Sequence, residues 1–309
     1  RAAGERVRMT AMRFSGPALR ERITLYERLM RLDKPIGILL LLWPTLWGLW
    51  LSAQGRPDWR VVWIFVLGTV LMRSAGCVIN DLADRNFDPH VARTSQRPLA
   101  AGQVSVREAL LLFAGLVACA FLVVLPLRSG LLLGLCLAAL FLAASYPFTK
   151  RFLAIPQAYL GVAFGFGIPM AYAAQLGSIP AEAWWLLLAN VFWAIAYDTE
   201  YAMVDRADDL KIGIRTSAIT FGRADVAAVM ACYALALALI GAVGYRLALG
   251  GVFYAGLAVA AAIAAYHYTL IRERDPPRCF KAFLHNNWLG ASVYAGIAAD
   301  FLFSRGLSG

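Results

Sequence analysis

Nine runs of 18 to 23 largely apolar residues follow one another along the chain. They lie at roughly 36–53, 61–80, 107–126, 130–147, 156–176, 183–203, 223–244, 250–271 and 282–304. A helix needs about 20 such residues to cross the hydrocarbon of a bilayer. The 309 residues are 61% hydrophobic and only 16% charged, at a mean hydropathy of +0.64. A soluble domain carries about 25% charged residues, so a globular core and a disordered chain are both excluded. The pattern predicts an all-α, polytopic membrane protein. Residues 35–305 form a single membrane domain of nine transmembrane helices, and residues 1–34 a basic arm.

The net charge is +10. A nucleic-acid binder of this charge carries its Lys and Arg on a soluble basic face, whereas here they fall between the apolar runs. Basic residues concentrate on the cytoplasmic side of membrane proteins. With the N-terminus on side one, that side receives 23 of the 29 Lys and Arg, the opposite side five, and Arg73 lies inside the second run. The bias makes side one cytoplasmic. The arm has no apolar signal core. It reads as a surface segment that meets lipid head groups, with an Arg-rich transit remnant as the alternative. Trp43, Trp47 and Trp50, or Trp184 and Trp185, read as an interfacial belt. The five cysteines form no C-x-x-C pair, and the three histidines share no ligand spacing.

The acids carry more information. Eight of the 19 lie in two stretches that leave the membrane on side one, Asn80–Asp88 and Asp198–Asp209. At ~100° per residue, Asn80, Asp84 and Asp88 span only ~80° of a helix, and Asp198, Asp205 and Asp209 only ~40°. Each helix end then presents one oxygen-rich stripe. Like charges this close are costly beside lipid unless a cation neutralises them. Oxygen ligands without His or Cys suit Mg²⁺, which usually bridges a few carboxylates to substrate phosphates. The stripes predict a Mg²⁺-diphosphate site between two facing helix ends. Solvated acids neutralised by neighbouring bases are the simpler alternative, and two matching stripes on one side weigh against it.

Lys150, four residues after Tyr146, is a point-charge partner for phosphate. Arg97, Arg206, Lys211 and Arg215 are further basic candidates. Arg73 sits seven residues before Asn80 on nearly the same face, about two turns deeper. An intramembrane Arg is expensive, and its guanidinium suits a carboxylate, from a neighbouring Asp or from an acid substrate.

At these residues the sequence resembles the UbiA superfamily of intramembrane prenyltransferases. The first motif is N-D-x-x-D-x-x-x-D, with Asn80, Asp81, Asp84 and Asp88. The second is D-x-x-Y-A-x-x-D-x-x-x-D, with Asp198, Tyr201, Ala202, Asp205 and Asp209. Between them stands Y-x-x-x-K, with Tyr146 and Lys150. The resemblance runs from about Leu32 to Phe303. Stretches such as Arg31–Gly37, Leu41–Thr45, Arg73–Cys77, Arg97–Ala100 and Asp208–Gly213 are most similar to the branch that acts on 4-hydroxybenzoate.

The resemblance implies a ring of helices around a central cavity, built as two four-helix pseudo-repeats plus one helix. It implies two Mg²⁺ ions held by Asn80, Asp84, Asp88, Asp198, Asp205 and Asp209, with a polyprenyl diphosphate as donor. Lys150, Tyr146, Tyr201, Lys211 and Arg215 join the substrate site, and Arg73 orients the aromatic acid. Asp84, Asp198 or the diphosphate itself takes the ring proton. Loops 81–106 and 204–222 cap the site on side one.

Relatives acting on a naphthoate, homogentisate or haem share the Mg²⁺ site without needing Arg73. A phosphatidyltransferase would want Asp-Gly and Ala-Arg at fixed offsets, which are missing. A cation transporter would place its acids at mid-span rather than at helix ends. A bacterial inner membrane is the expected location, with the mitochondrial inner membrane as alternative.

Overall fold

The computed structural model describes residues 16–86, 88–90 and 94–306. The arm's Arg1, Arg6, Arg8 and Arg13, and Arg93 of the first cap loop, lie outside them. Among the described residues there are twelve α-helices and no strand. In chain order they are α1 (Gly16–Leu29), α2 (Ile36–Ser52), α3 (Trp59–Asp84), α4 (Val106–Val124), α5 (Gly130–Thr149) and α6 (Pro156–Gly165). There follow α7 (Gly167–Leu176), α8 (Ala181–Ile212), α9 (Ser217–Phe221), α10 (Asp225–Arg246), α11 (Gly251–Ile271) and α12 (Pro276–Gly306).

Six segments are long and apolar enough to cross a membrane: α3, α4, α5, α6 with α7, α9 with α10, and α11. The apolar α2 is shorter, at 17 residues. The 32-residue α8 and 31-residue α12 have the length and also carry charged turns. The chain is a multi-pass membrane protein. The fifth apolar run divides at Phe166 into α6 and α7, a break its uniform hydropathy did not announce.

The helices start and stop for local reasons. The Asp58 carboxylate caps α3 by accepting from Arg60 N at 2.8 Å. Ser105 and Glu108 form a capping box on α4, satisfying two otherwise orphaned amides. α8 ends at Gly213, whose φ of 72° is the left-handed conformation that glycine adopts without a steric penalty.

The bundle closes into a ring. α2 packs on α3, α3 on α4 and α5, α5 on α6, α6 on α8, α8 on α10, α10 on α11, α11 on α12, and α12 returns to α2. α3 packs on α4 as α8 packs on α10, an arrangement that two pseudo-repeats require. The cavity is not lined equally by all spans: its walls come from α2 to α8 and α12, while α10 and α11 contribute no lining residue.

Trp43 and Trp47 are not interfacial. Trp47 is fully buried, and its Nε1 donates to Gly290 O at 3.1 Å. Trp43 Nε1 donates to Asn287 Oδ1 at 2.9 Å. Trp50 packs edge-on against Tyr294 at 5.0 Å between ring centroids. These indoles bind α2 to α12, because an apolar ring with one donor serves a helix–helix seam as well as a lipid boundary. Trp184 and Trp185 are exposed, as a belt requires.

A second polar seam joins α8, α10, α11 and α12. Tyr233 Oη lies 2.9 Å from each of Glu200 Oε1, Asn286 Oδ1 and His267 Nδ1, with one proton to share among them. Asn286 Nδ2 donates to Glu200 Oε2 at 2.8 Å, Trp193 Nε1 donates to Asn286 Oδ1 at 2.8 Å, and His267 Nε2 lies 3.1 Å from His285 Nδ1. His267 and His285 thus meet in space despite their 18-residue separation. Buried polar groups this well partnered fix a unique helix register.

Candidate active site

One cavity of about 1260 Å³ runs through the bundle. Both acidic motifs line it, through Asn80, Asp81, Asp84, Asp88, Asp198, Asp205 and Asp209, together with Arg73, Tyr146, Lys150, Tyr201 and Arg215. Two segments that begin more than 110 residues apart in sequence, at Asn80 and Asp198, therefore face one space.

The helical stripe holds on α8, which continues to Ile212 and carries Asp198, Asp205 and Asp209 on one element. On α3 it holds only in part. The helix stops at Asp84, and Asp88 stands in a separate 3-10 turn, Asp88–His90. Asp88 still reaches the cavity, held there by Arg97, whose Nη1 donates to both its oxygens at 3.1 and 2.9 Å. Burial raises the Asp88 carboxyl above its usual range, and Arg97 opposes that rise.

Asp84 is buried at the end of α3. It accepts from Lys150 Nζ at 2.8 Å and from Asn80 Nδ2 at 3.2 Å. Lys150 is the residue that follows α5, so this pair joins α5 to the first acidic motif. Arg215 N donates to Lys150 O at 3.2 Å, and its guanidinium to Phe152 O at 3.1 Å. The chain after α8 is thereby tied to the end of α5. Tyr201 packs on Phe283 at 4.7 Å between centroids. Lys211 is not brought in: it pairs with Asp208 at 3.0 Å, its side chain 73% exposed, outside the cavity lining.

Asp81 plays a part that spacing did not suggest. Its side chain is 1% exposed, and Oδ1 takes Arg31 Nη2 at 2.7 Å and Arg97 Nη1 at 3.0 Å. Arg31, at φ 58°, turns the chain out of α1. Asp81 thus clamps α1 and the first cap loop onto α3.

Arg73 lies deeper. Its guanidinium stands 5.5 Å from the Phe164 ring centroid, and Nε is buried without a partner. A Cβ at Gly37 would collide with this guanidinium, so the glycine is what leaves room for it.

The acids and the Asn80 amide offer oxygen ligands, which fit a hard cation. Among the described residues no three His, Cys, Asp or Glu side chains gather closely enough to hold an ion by themselves. An ion at this site would share its coordination with a ligand's own oxygens.

The sequence model of the UbiA prenyltransferase family matches residues 41–289. The chain belongs to this family. Among similar members, the 4-hydroxybenzoate octaprenyltransferase of Dechloromonas aromatica (strain RCB) is 74% identical over 288 residues, covering 93% of this chain and 97% of the relative. The enzyme of the same name from Thiobacillus denitrificans (strain ATCC 25259 / T1) is 70% identical over 93% of this chain and 98% of its own. A UbiA homologue from Aeropyrum pernix K1 superposes with a TM-score of 0.76 at 26% identity, covering 85% of this chain and 97% of that one. A UbiA homologue from Archaeoglobus fulgidus, solved with GPP and Mg²⁺, has the same fold at a TM-score of 0.66 and 20% identity, over 89% and 99% of the two chains.

Proposed function

We propose that this family member transfers a polyprenyl group from its diphosphate to a ring carbon of 4-hydroxybenzoate. The observation that carries the proposal is the pairing in one cavity of two acidic helix ends at the mouth with a cationic Arg73 below them. The names of its close relatives support the same acceptor and donor class. We place the protein in a bacterial inner membrane with the mouth on the cytoplasmic side, which the basic-residue bias supports.

Asn80, Asp84, Asp88, Asp198, Asp205 and Asp209 are the residues that would hold two Mg²⁺ ions. Bound there, the ions would supply positive charge to the diphosphate oxygens as the allylic C–O bond breaks. Lys150 adds a point charge beside the leaving diphosphate. Arg73 takes the acceptor's carboxylate, which directs the ring towards the mouth. The ring carbon ortho to the hydroxyl attacks the allylic cation, and Asp84, Asp198 or the departing diphosphate removes the proton. The apolar walls exclude water that would trap the cation. Phe121 and Leu137 line the cavity while 45% and 66% exposed, which supports an exit for the lipid tail between α4 and α5. The segments after α3 and α8 cap the mouth; within the expected loops 81–106 and 204–222, α3 runs on to Asp84, α8 runs on to Ile212, and Ser217–Phe221 forms α9.

Arg73→Ala should raise KM for 4-hydroxybenzoate at least tenfold and leave KM for geranyl diphosphate within about twofold. Gly37→Ala should do the same more weakly, by displacing the guanidinium. An unchanged acceptor KM in Arg73→Ala would move the carboxylate elsewhere. The reaction itself is tested in membranes stripped with EDTA and resupplied with Mg²⁺, offering 4-hydroxybenzoate, a dihydroxynaphthoate or homogentisate. Product should form with the first alone and only after Mg²⁺ is restored; preference for another acceptor would leave the family site standing and overturn the acceptor.

A further inference from the structure

Six buried side-chain polar atoms among the described residues have no partner, and three of them belong to residues lining the cavity. One, Asp81 Oδ2, sits on a carboxylate already held by two arginines. The other two are Arg73 Nε and Tyr197 Oη. Buried polar groups are nearly always satisfied, and each exception needs a reason.

Their positions suggest one. Tyr197 lies eight residues before Asp205 on α8, about 12 Å deeper along the helix. Arg73 lies seven residues before Asn80 on α3, about 10 Å deeper. Tyr197 directly precedes Asp198 and lies below Asp205, Arg73 lies below Asn80, and both residues line the same cavity. The Tyr197 ring is fixed by an edge-on contact with Trp193 at 5.4 Å and by Phe283 at 6.3 Å between centroids. A rigid phenol with an unpartnered hydroxyl, lining the same cavity as an unpartnered guanidinium nitrogen, is suited to an anionic ligand with more than one acceptor oxygen.

We infer that Tyr197 is a second recognition residue for the acceptor's carboxylate, its hydroxyl donating to one carboxylate oxygen while Arg73 engages the anion from the α3 side. This rests on the acceptor reading above. It assigns selectivity for a carboxylate-bearing phenol to two helices and gives both buried donors an acceptor.

Tyr197→Phe removes only the hydroxyl and keeps the ring contacts. The tests are equilibrium binding of 4-hydroxybenzoate and of 4-hydroxybenzamide to purified protein, and Tm with and without each. A hydrogen bond to a charged oxygen corresponds to roughly tenfold or more in affinity. Tyr197→Phe should weaken 4-hydroxybenzoate binding by about that factor, leave the weaker amide binding within about twofold, and leave KM for geranyl diphosphate unchanged. Its ligand-free Tm should equal or exceed that of the parent protein, since an unsatisfied buried hydroxyl has been removed. Unchanged acid binding in Tyr197→Phe overturns the inference. If Arg73→Ala also leaves acid binding unchanged, or the parent protein does not prefer the acid to the amide, the acceptor reading itself fails. Loss of acid binding in Arg73→Ala alone leaves that reading standing without Tyr197.

Discussion

Asp84→Ala and Asp205→Ala, made singly, should each abolish prenyl transfer, with kcat falling about 10³-fold or more. The expected size follows from the charge that must be stabilised as diphosphate departs. Metal-assisted neutralisation of developing charge is worth several kcal/mol, and each 1.4 kcal/mol is tenfold in rate. The two residues come from α3 and α8, so equal loss in both variants reports a site that needs both helix ends. Asp84→Ala also releases Lys150, which sits 2.8 Å from the carboxylate. Asp84→Asn keeps a hydrogen-bond acceptor for Lys150 and should still be inactive. Turnover near the parental rate in either alanine variant would remove that residue from the diphosphate site.

Asp81→Ala should act differently, through stability. Its carboxylate is almost fully buried and joins Arg31 beyond α1 to Arg97 of the cap loop. Removing one partner of a buried ion pair costs about 3–5 kcal/mol when the charges left behind cannot reach water. Here the arginines are 20% and 15% exposed, so solvent recovers part of that loss, and about 2–3 kcal/mol is the expected cost. The variant should show a lower Tm in detergent than Asp84→Ala and faster proteolysis between residues 85 and 105. A Tm equal to that of the parent protein would mean that α1 and the cap loop are held by other contacts.

These two neighbours show what sequence could and could not give. Their motif was legible, because carboxylates recurring at helical spacing beside a membrane call for neutralising charge, from a cation or from neighbouring bases, whatever the tertiary context. The assignment of Asp81 to a pair of arginines was not legible, because Arg31 and Arg97 lie 50 and 16 residues away and reach it only through the fold. The same limit applied to Asp88: the helical angle put it on the stripe of Asn80 and Asp84, whereas the helix ends and Arg97 brings it to the cavity. Span count and Arg73 were readable, since hydropathy and the cost of an intramembrane charge are local properties. The inward turn of Trp43 and Trp47, the meeting of His267 with His285 and the unpartnered hydroxyl of Tyr197 were not. Each depends on which helix stands opposite, which period and composition leave undetermined.

If the acidic mouth and Arg73 act as one dry site for carbon–carbon bond formation, the position of the new bond reports it. The most direct test is to incubate purified protein with Mg²⁺, geranyl diphosphate and ring-labelled 4-hydroxybenzoate and to determine where the geranyl group is attached. A single product should form, prenylated on the ring carbon ortho to the hydroxyl and meta to the carboxylate, with one diphosphate released per product. Geraniol without prenylated acid, or attachment at the phenol oxygen, would contradict it.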